Sequence, residues 1–175
     1  AIKPVHLDND QFSSTQNVFD EKKKIILNMK KGGQAFVTID DVFIKKMADL
    51  DIKKITYSQK GHAGIYASDI EQTEEGLKFT VNWSKEPFHA FIPLFGEYHL
   101  SYVLPAVIAG LATQVPVNKI QEALKGYTLP PGRMSLIEGI QNTLIIDSSY
   151  NASPEAVKEA LKVLDFFGKK RQARR

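Results

Sequence analysis

Apolar positions recur at two different periods along this chain, and the alternation between those periods outlines an α/β protein. Val18, Ile25, Ile26 and Met29 share one stripe of a helix predicted over Gln16 to Met29, which Lys31-Gly32-Gly33 ends. Gln34 to Ile39 reads as a short apolar strand running into Asp40-Asp41, Val42 to Leu50 returns to helical spacing, and Lys54 to Ser58 is again a strand. Strand, helix and strand in this rhythm predict a parallel sheet. From Ile65 the period shortens to two. Ile65 to Ile70, Leu77 to Trp83 and Phe88 to Pro93 are predicted strands joined by short turns such as Glu74-Glu75-Gly76, the pattern of an antiparallel meander.

The second half returns to helices. Leu100 to Thr113 is almost wholly apolar and too long for an ordinary strand, so it reads as a buried helix that tolerates Pro105 near its first turn. Val117 to Lys125 is a shorter amphipathic helix through Ile120, Ala123 and Leu124. Strands are predicted at Ser135 to Gly139 and Thr143 to Asp147. A last helix, Pro154 to Phe167, has Ser153 as its cap, Pro154 at its first position, and Val157, Ala160, Leu161 and Leu164 facing inward. Pro130-Pro131-Gly132 breaks the pattern and sets the expected domain boundary, giving residues 1–129 and 130–175.

Composition narrows the function classes. A chain of 175 residues, 43% hydrophobic, can bury a real core. No apolar run approaches bilayer length and the N-terminus lacks a signal-peptide layout, so a cytoplasmic protein without membrane insertion is expected. The absence of cysteine rules out disulfides and thiolate sites, leaving oxygen or imidazole for any metal. Much of the +3 charge sits in residues 168–175, GKKRQARR. No aromatic residue is interleaved there for base stacking, so no nucleic-acid partner is expected.

Several residues carry candidate chemistry. Lys22 falls between Val18 and Ile26, near the middle of an apolar stripe, where a lysine must snorkel, pair or be chemically altered. His6, with Asp8 two positions on, either packs or joins an oxygen-rich cation site. Asp40 and Asp41 stand at a strand end, where α/β sheets gather ligands and where turns also recruit acids. Arg133 and Asp147 form either an inter-strand salt bridge or a pair suited to a phosphate and a ribose. Ser148 to Asn151 is either an ordinary turn or a set of small polar groups delivered to a helix N-terminus. Neither G-x-x-x-x-G-K-[ST] nor G-x-G-x-x-G occurs, so no complete nucleotide-binding motif is present.

Taken in order, these segments resemble the Mur ligase family of ATP-dependent amide-bond-forming enzymes of peptidoglycan precursor synthesis. IDSSYNASPEAVKEAL, starting at Ile146, resembles the segment that reads close to DDSYNANP in the D-alanyl-D-alanine-adding members. IKPVHL at Ile2 to Leu7 resembles the strand end bearing a metal-binding histidine. EKKKII at Glu21 to Ile26 resembles the helix with a carbamylated lysine. Lys31 to Asp41 resembles the glycine turn and strand leading to paired aspartates, and Phe95 to Gly110 the segment that contacts adenine. The chain departs from the family at Thr38, where an asparagine is usual, at Ser148, the second aspartate of DDSYNANP, and in the H-N-x-x-N element, which becomes Tyr98, His99 and Tyr102.

The resemblance implies a parallel-sheet Mur ligase central domain with an antiparallel meander, then the start of a Rossmann-like C-terminal domain. The remaining N- and C-terminal parts of the enzyme, including its phosphate loop, would lie outside these residues. Carried over, Lys22 would hold a carbamate that binds Mg2+ with His6, and Arg133 would reach the ATP phosphates. Asp147, Thr38, His99 and Tyr102 would line the nucleotide, and Ser149, Tyr150 and Asn151 would face substrate. The implied reaction joins a UDP-muramoyl peptide to D-alanyl-D-alanine through an acyl phosphate. A fragment of this extent is expected to be inactive. Two alternatives stand beside it: a folylpolyglutamate synthetase-like or poly-amino-acid-forming ligase, which the SSYNASP segment disfavours, and a non-catalytic Mur-like binding domain.

Overall fold

The computed structural model describes residues 12–150 and 153–171. Helix α1 (Thr15–Leu27) starts where Ser14 accepts a hydrogen bond from the Asn17 backbone N–H at 3.2 Å. It stops at Asn28, whose side-chain amide donates to the Lys24 carbonyl. Strand β1 (Ala35–Thr38) leads into α2 (Val42–Lys45), capped by the Asp41 carboxylate, which accepts from the N–H groups of Phe43 and Ile44 at 2.9 and 2.8 Å. The predicted helix does not continue to Leu50 as an α-helix. Lys46–Asp49 tightens to a 3-10 turn, which keeps Ile44 and Met47, three residues apart, together in the core.

Next come β2 (Lys54–Ser58), β3 (Ile65–Gln72), β4 (Leu77–Asn82) and β5 (Phe88–Ile92). These strands and β1 form a mixed sheet in the order β1-β2-β3-β4-β5. β1 pairs with β2 and β2 with β3, both parallel, with Thr38 opposite Tyr57. The neighbours β3, β4 and β5 are joined by connections too short for a parallel crossover, which makes them the predicted meander. The first meander strand therefore belongs to both patterns, parallel to β2 and antiparallel to β4. The β3–β4 turn closes with the Thr73 N–H donating to the Gly76 carbonyl at 2.8 Å. Gly76 has φ +150°, and a Cβ there would stand 2.3 Å from the Ile92 carbonyl oxygen.

Helix α3 (Leu100–Ala112) buries Leu100, Val103, Leu104, Val107 and Ile108, an i, i+3, i+4, i+7, i+8 stripe, and packs on β1 and β2. Then follow α4 (Val117–Lys125), the antiparallel pair β6 (Ser135–Glu138) and β7 (Leu144–Asp147), and α5 (Pro154–Lys170). Ser153 caps α5 by accepting from the Ala156 N–H at 3.3 Å, with Pro154 at the first position as expected.

Contact density divides the chain into two compact units. One comprises Ala1–Ser68, Thr80–His89 and Leu100–Val117; the other comprises Asp69–Phe79, Ala90–His99 and Asn118–Arg175. In the first unit Val18, Phe19 and Ile26 of α1 pack with Ala35, Val37, Ile44 and Met47. Ile25, expected on that stripe, is 67% exposed because it lies one residue, about 100°, off the Val18–Ile26 line. In the second unit Met134, Val163 and Phe167 form the cluster centre, supported by Leu136, Ile146, Phe95 and Phe166. Here the expected inward face of α5 needs correction. Val157 and Leu161 are exposed, Leu161 by 57%, and the buried line runs through Ala160, Val163 and Phe167. The helix carries two apolar lines, and its aromatic one wins the core because Phe167 buries more area. The other borders a cleft of about 200 Å³ beside Ile146 and Ser148.

Candidate functional site

The candidate residues fall into two groups, one in each unit. In the first, the ends of β1 and β2 carry a closed polar network. The Ser58 hydroxyl donates to Asp40 Oδ1 at 2.6 Å, and the Gln59 N–H donates to Asp40 Oδ2 at 2.8 Å. The Asp40 N–H in turn donates to Thr38 Oγ1 at 3.2 Å, and the Lys60 N–H to Ser58 Oγ at 2.8 Å. Thr38 and Ser58 are buried. Asp40 thus braces two parallel strand ends and Asp41 caps a helix, so this acidic pair has structural work at the place where α/β sheets present ligand-binding loops.

Tyr57, buried beside this network, is pushed up to about 12 by burial, then by the Asp40 carboxylate and by Tyr102. Its phenol therefore stays neutral and able to donate at any physiological pH. Thr38 pairs in register with Tyr57, and Tyr102 on α3 acts on the same phenol, so Thr38, Tyr57 and Tyr102 are gathered at the strand ends. Tyr57 and Ser58 were not singled out by sequence. Their signal was a tyrosine-serine pair closing a strand parallel to one that ends in acids. Lys22 is half-buried on the α1 stripe between Val18 and Ile26, the position its spacing predicts. His6 lies outside the described residues, as does Asn151.

In the second unit, Arg133, Asp147, Ser149 and Tyr150 come together around the turn that precedes α5. Asp147 does not pair with Arg133 in any described ion pair. Its Oδ1 accepts from the Ser149 hydroxyl at 2.7 Å and the Ser149 N–H at 3.1 Å, and those two donors hold its carboxyl below the usual range. The Arg133 guanidinium lies over the Tyr150 ring, 3.9 Å from its centroid. Ser148 to Tyr150 is consequently a turn built on an Asp side chain, and it also shapes the surroundings of an arginine.

His99, in the same unit, is 6% exposed. Its Nε2 has no hydrogen-bond partner among the described residues, and its ring lies 4.0 Å from that of Tyr98. Burial pushes its imidazole down to about 4. It is a neutral, inward-turned side chain. A phosphorylated ligand suits Arg133, whose in-plane donors no described carboxylate engages. For a cation, no group of three His, Cys, Asp or Glu exists among the described residues. Among those residues too, no helix is long and apolar enough to cross a membrane.

Parallel strands whose ends carry a hydrogen-bonded acid, serine and threonine in one unit, and an arginine turn leading into a capped helix in the other, are features of an α/β protein, a class in which strand ends and helix starts present ligands. A family profile described as Mur ligase middle domain matches residues 1–110, and the chain belongs to the Mur ligase family. It is 28% identical over 160 residues to the UDP-N-acetylmuramoyl-tripeptide--D-alanyl-D-alanine ligase of Bacillus subtilis (strain 168), covering 90% of this chain and 34% of that relative. It is 32% identical over 117 residues to the UDP-N-acetylmuramoyl-L-alanyl-D-glutamate--2,6-diaminopimelate ligase of Oceanobacillus iheyensis, covering 66% of this chain and 23% of that one. In fold it is similar to MurF from Acinetobacter baumannii, with a TM-score of 0.78 at 24% identity over 88% of this chain and 34% of that structure. MurF from Thermotoga maritima in complex with ADP gives a TM-score of 0.76 at 20% identity, covering 88% of this chain and 35% of that structure. The chain spans about a third of the length of the curated relatives it matches.

Proposed function

We propose that this chain is part of a cytoplasmic Mur-type ligase of peptidoglycan precursor synthesis, which adds D-alanyl-D-alanine to a UDP-muramoyl peptide at the expense of ATP. The observation that carries the reading is Arg133, an arginine with its N–H donors uncommitted, set at the turn before a capped helix in a chain similar to D-alanyl-D-alanine-adding ligases over nine-tenths of its length. In the reaction, the substrate carboxylate attacks the γ-phosphorus of ATP, the bond to the β-phosphate breaks with ADP leaving, and an acyl phosphate forms. The amine of the dipeptide then attacks the acyl carbon, and the tetrahedral adduct expels phosphate. Arg133 offsets negative charge on the transferring group by hydrogen bonds that strengthen as that charge grows.

Asp147 accepts from the ribose or borders the phosphates. Thr38, Tyr102 and His99 take the adenine-side positions, with Tyr57 added by its place beside Thr38. Ser149, Tyr150 and Asn151 would face substrate. Lys22, as a carbamate, and His6 would hold Mg2+, which would supply charge neutralisation when bound. Residues 1–129 belong to the central domain and 130–175 to the hinge and C-terminal domain. The missing parts of the enzyme supply the phosphate loop, so the 175-residue chain by itself is inactive.

The test is to express the full reading frame that contains this chain, and to follow phosphate release and amide formation with ATP, a UDP-muramoyl tripeptide and D-alanyl-D-alanine. Activity that depends on Mg2+ and falls at least 100-fold in Arg133→Ala supports the reading. Turnover by the 175-residue chain alone contradicts its inactivity. A second reading, a Mur-like domain that no longer uses ATP, is favoured by the inward burial of His99 at an adenine-side position. It predicts no Mg2+-dependent ATP binding by the full protein. A folylpolyglutamate synthetase-like ligase would instead extend a glutamate chain in the same assay.

A further inference from the structure

We propose that Tyr150 is a positioning residue that seats the Arg133 guanidinium so that its edge is presented to a polyphosphate. The inference rests on the reading of Arg133 as the phosphate-contacting residue. The guanidinium carbon lies over the ring at 3.9 Å from the centroid, a separation that suits a guanidinium held through its flat face. Its five N–H donors lie in the plane of the group and stay free for oxygen ligands. A carboxylate that took those donors would abolish the arrangement. The nearest candidate by register is Asp147, paired opposite Ser135, yet it accepts from Ser149 instead, and no described ion pair includes Arg133.

The backbone holds both sides of the seat. The Tyr150 N–H donates to the Gly132 carbonyl at 3.0 Å. Gly132 has φ +78°, and a Cβ there would lie 3.4 Å from both the Cβ and the backbone nitrogen of Tyr150. On the other side of Arg133, Met134 takes φ 61° and drives its side chain into the Val163–Phe167 cluster. Arg133 is thus an exposed residue between two anchored neighbours, with its face covered and its edge open. Such an arginine surrenders less rotamer freedom on meeting an anion than a free one does. Tyr150 is itself 69% exposed, so it contributes little to the core and can be replaced without unfolding the chain.

The experiment uses the 175-residue chain with inorganic tripolyphosphate as probe, by titration calorimetry at low salt, and the Arg133 Nε–H resonance by NMR. The ring current should displace that resonance in the wild type and in Tyr150→Phe and release it in Tyr150→Leu. The Tyr150→Leu change should weaken tripolyphosphate binding roughly two- to five-fold, the effect of losing one exposed cation–π contact, while Tyr150→Phe keeps wild-type affinity. In an Arg133→Ala background, Tyr150→Leu should have no further effect. If Arg133→Ala weakens binding and Tyr150→Leu does not, the seat is refuted and the phosphate reading of Arg133 stands. If the wild type and Arg133→Ala bind alike, or neither binds, the reading of Arg133 fails and the seat fails with it.

Discussion

Lowering the pH should destabilise this protein through His99 specifically. The imidazole is 6% exposed, its Nε2 has no described partner, and burial holds it at about 4 against an ordinary 6.5. A folded-state value below the unfolded one means that the unfolded chain takes up the proton first. The contribution of His99 is therefore complete above pH 6.5 and is lost as pH falls toward 4. At about 1.36 kcal/mol per tenfold, the whole interval is worth about 3 kcal/mol, of which about 2 kcal/mol disappears between pH 7.5 and pH 5. That is a large share of the ~5–15 kcal/mol by which domains are usually stable. Urea unfolding at pH 7.5 and pH 5, for the wild type and for His99→Leu, isolates the effect, because all other titrating groups are common to both proteins. The variant should lose about 2 kcal/mol less than the wild type over that interval, and NMR of the wild-type imidazole should show a midpoint near 4. Parallel losses in the two proteins, or a midpoint near 6.5, would refute the reasoning.

Three further outcomes follow from the strand ends and turns. Ser58→Ala removes a buried donor at 2.6 Å from the Asp40 carboxylate, so it should cost about 1.5–3 kcal/mol in urea unfolding at pH 7.5. Gly76→Ala places a methyl 2.3 Å from the Ile92 carbonyl oxygen at φ +150°, and a loss of about 2 kcal/mol or more, with a lower thermal midpoint, is expected. Tyr57, raised to about 12, should give a late ionisation step in a 295 nm alkaline titration, and Tyr57→Phe should remove that step. Its contribution to stability is complete below pH 10 and fades as pH rises toward 12.

Much of the architecture was legible because it follows local rules. The α5 start was carried by Ser153 and Pro154, a cap and a first-turn residue whose effect needs no distant partner. The buried helix α3 follows from an apolar run too long for a strand, and the meander strands follow from their period. The misreadings cluster where two local solutions are equally good. Helix α5 has two apolar lines, and periodicity cannot choose between them until Met134, Phe95 and Leu136 arrive to meet Val163 and Phe167. Val42 to Leu50 has a helical spacing that a 3-10 turn satisfies equally through Ile44 and Met47.

The candidate site divides along the same line. Sequence by itself determined which residue types were present, their order, and so the family: Lys22 on an apolar stripe, acids after a strand, Arg133 after Pro-Gly, and Asp147 before a capped helix. Tertiary structure decided what each is paired with. It gave Asp40 to Ser58, eighteen residues away, and laid Arg133 on Tyr150, leaving Asp147 to the local turn with Ser149. It also turned His99 inward without a partner for Nε2 among the described residues. The physical reason is that a hydrogen-bond or π partner is chosen by distance and desolvation across elements, which no period or spacing along one chain encodes.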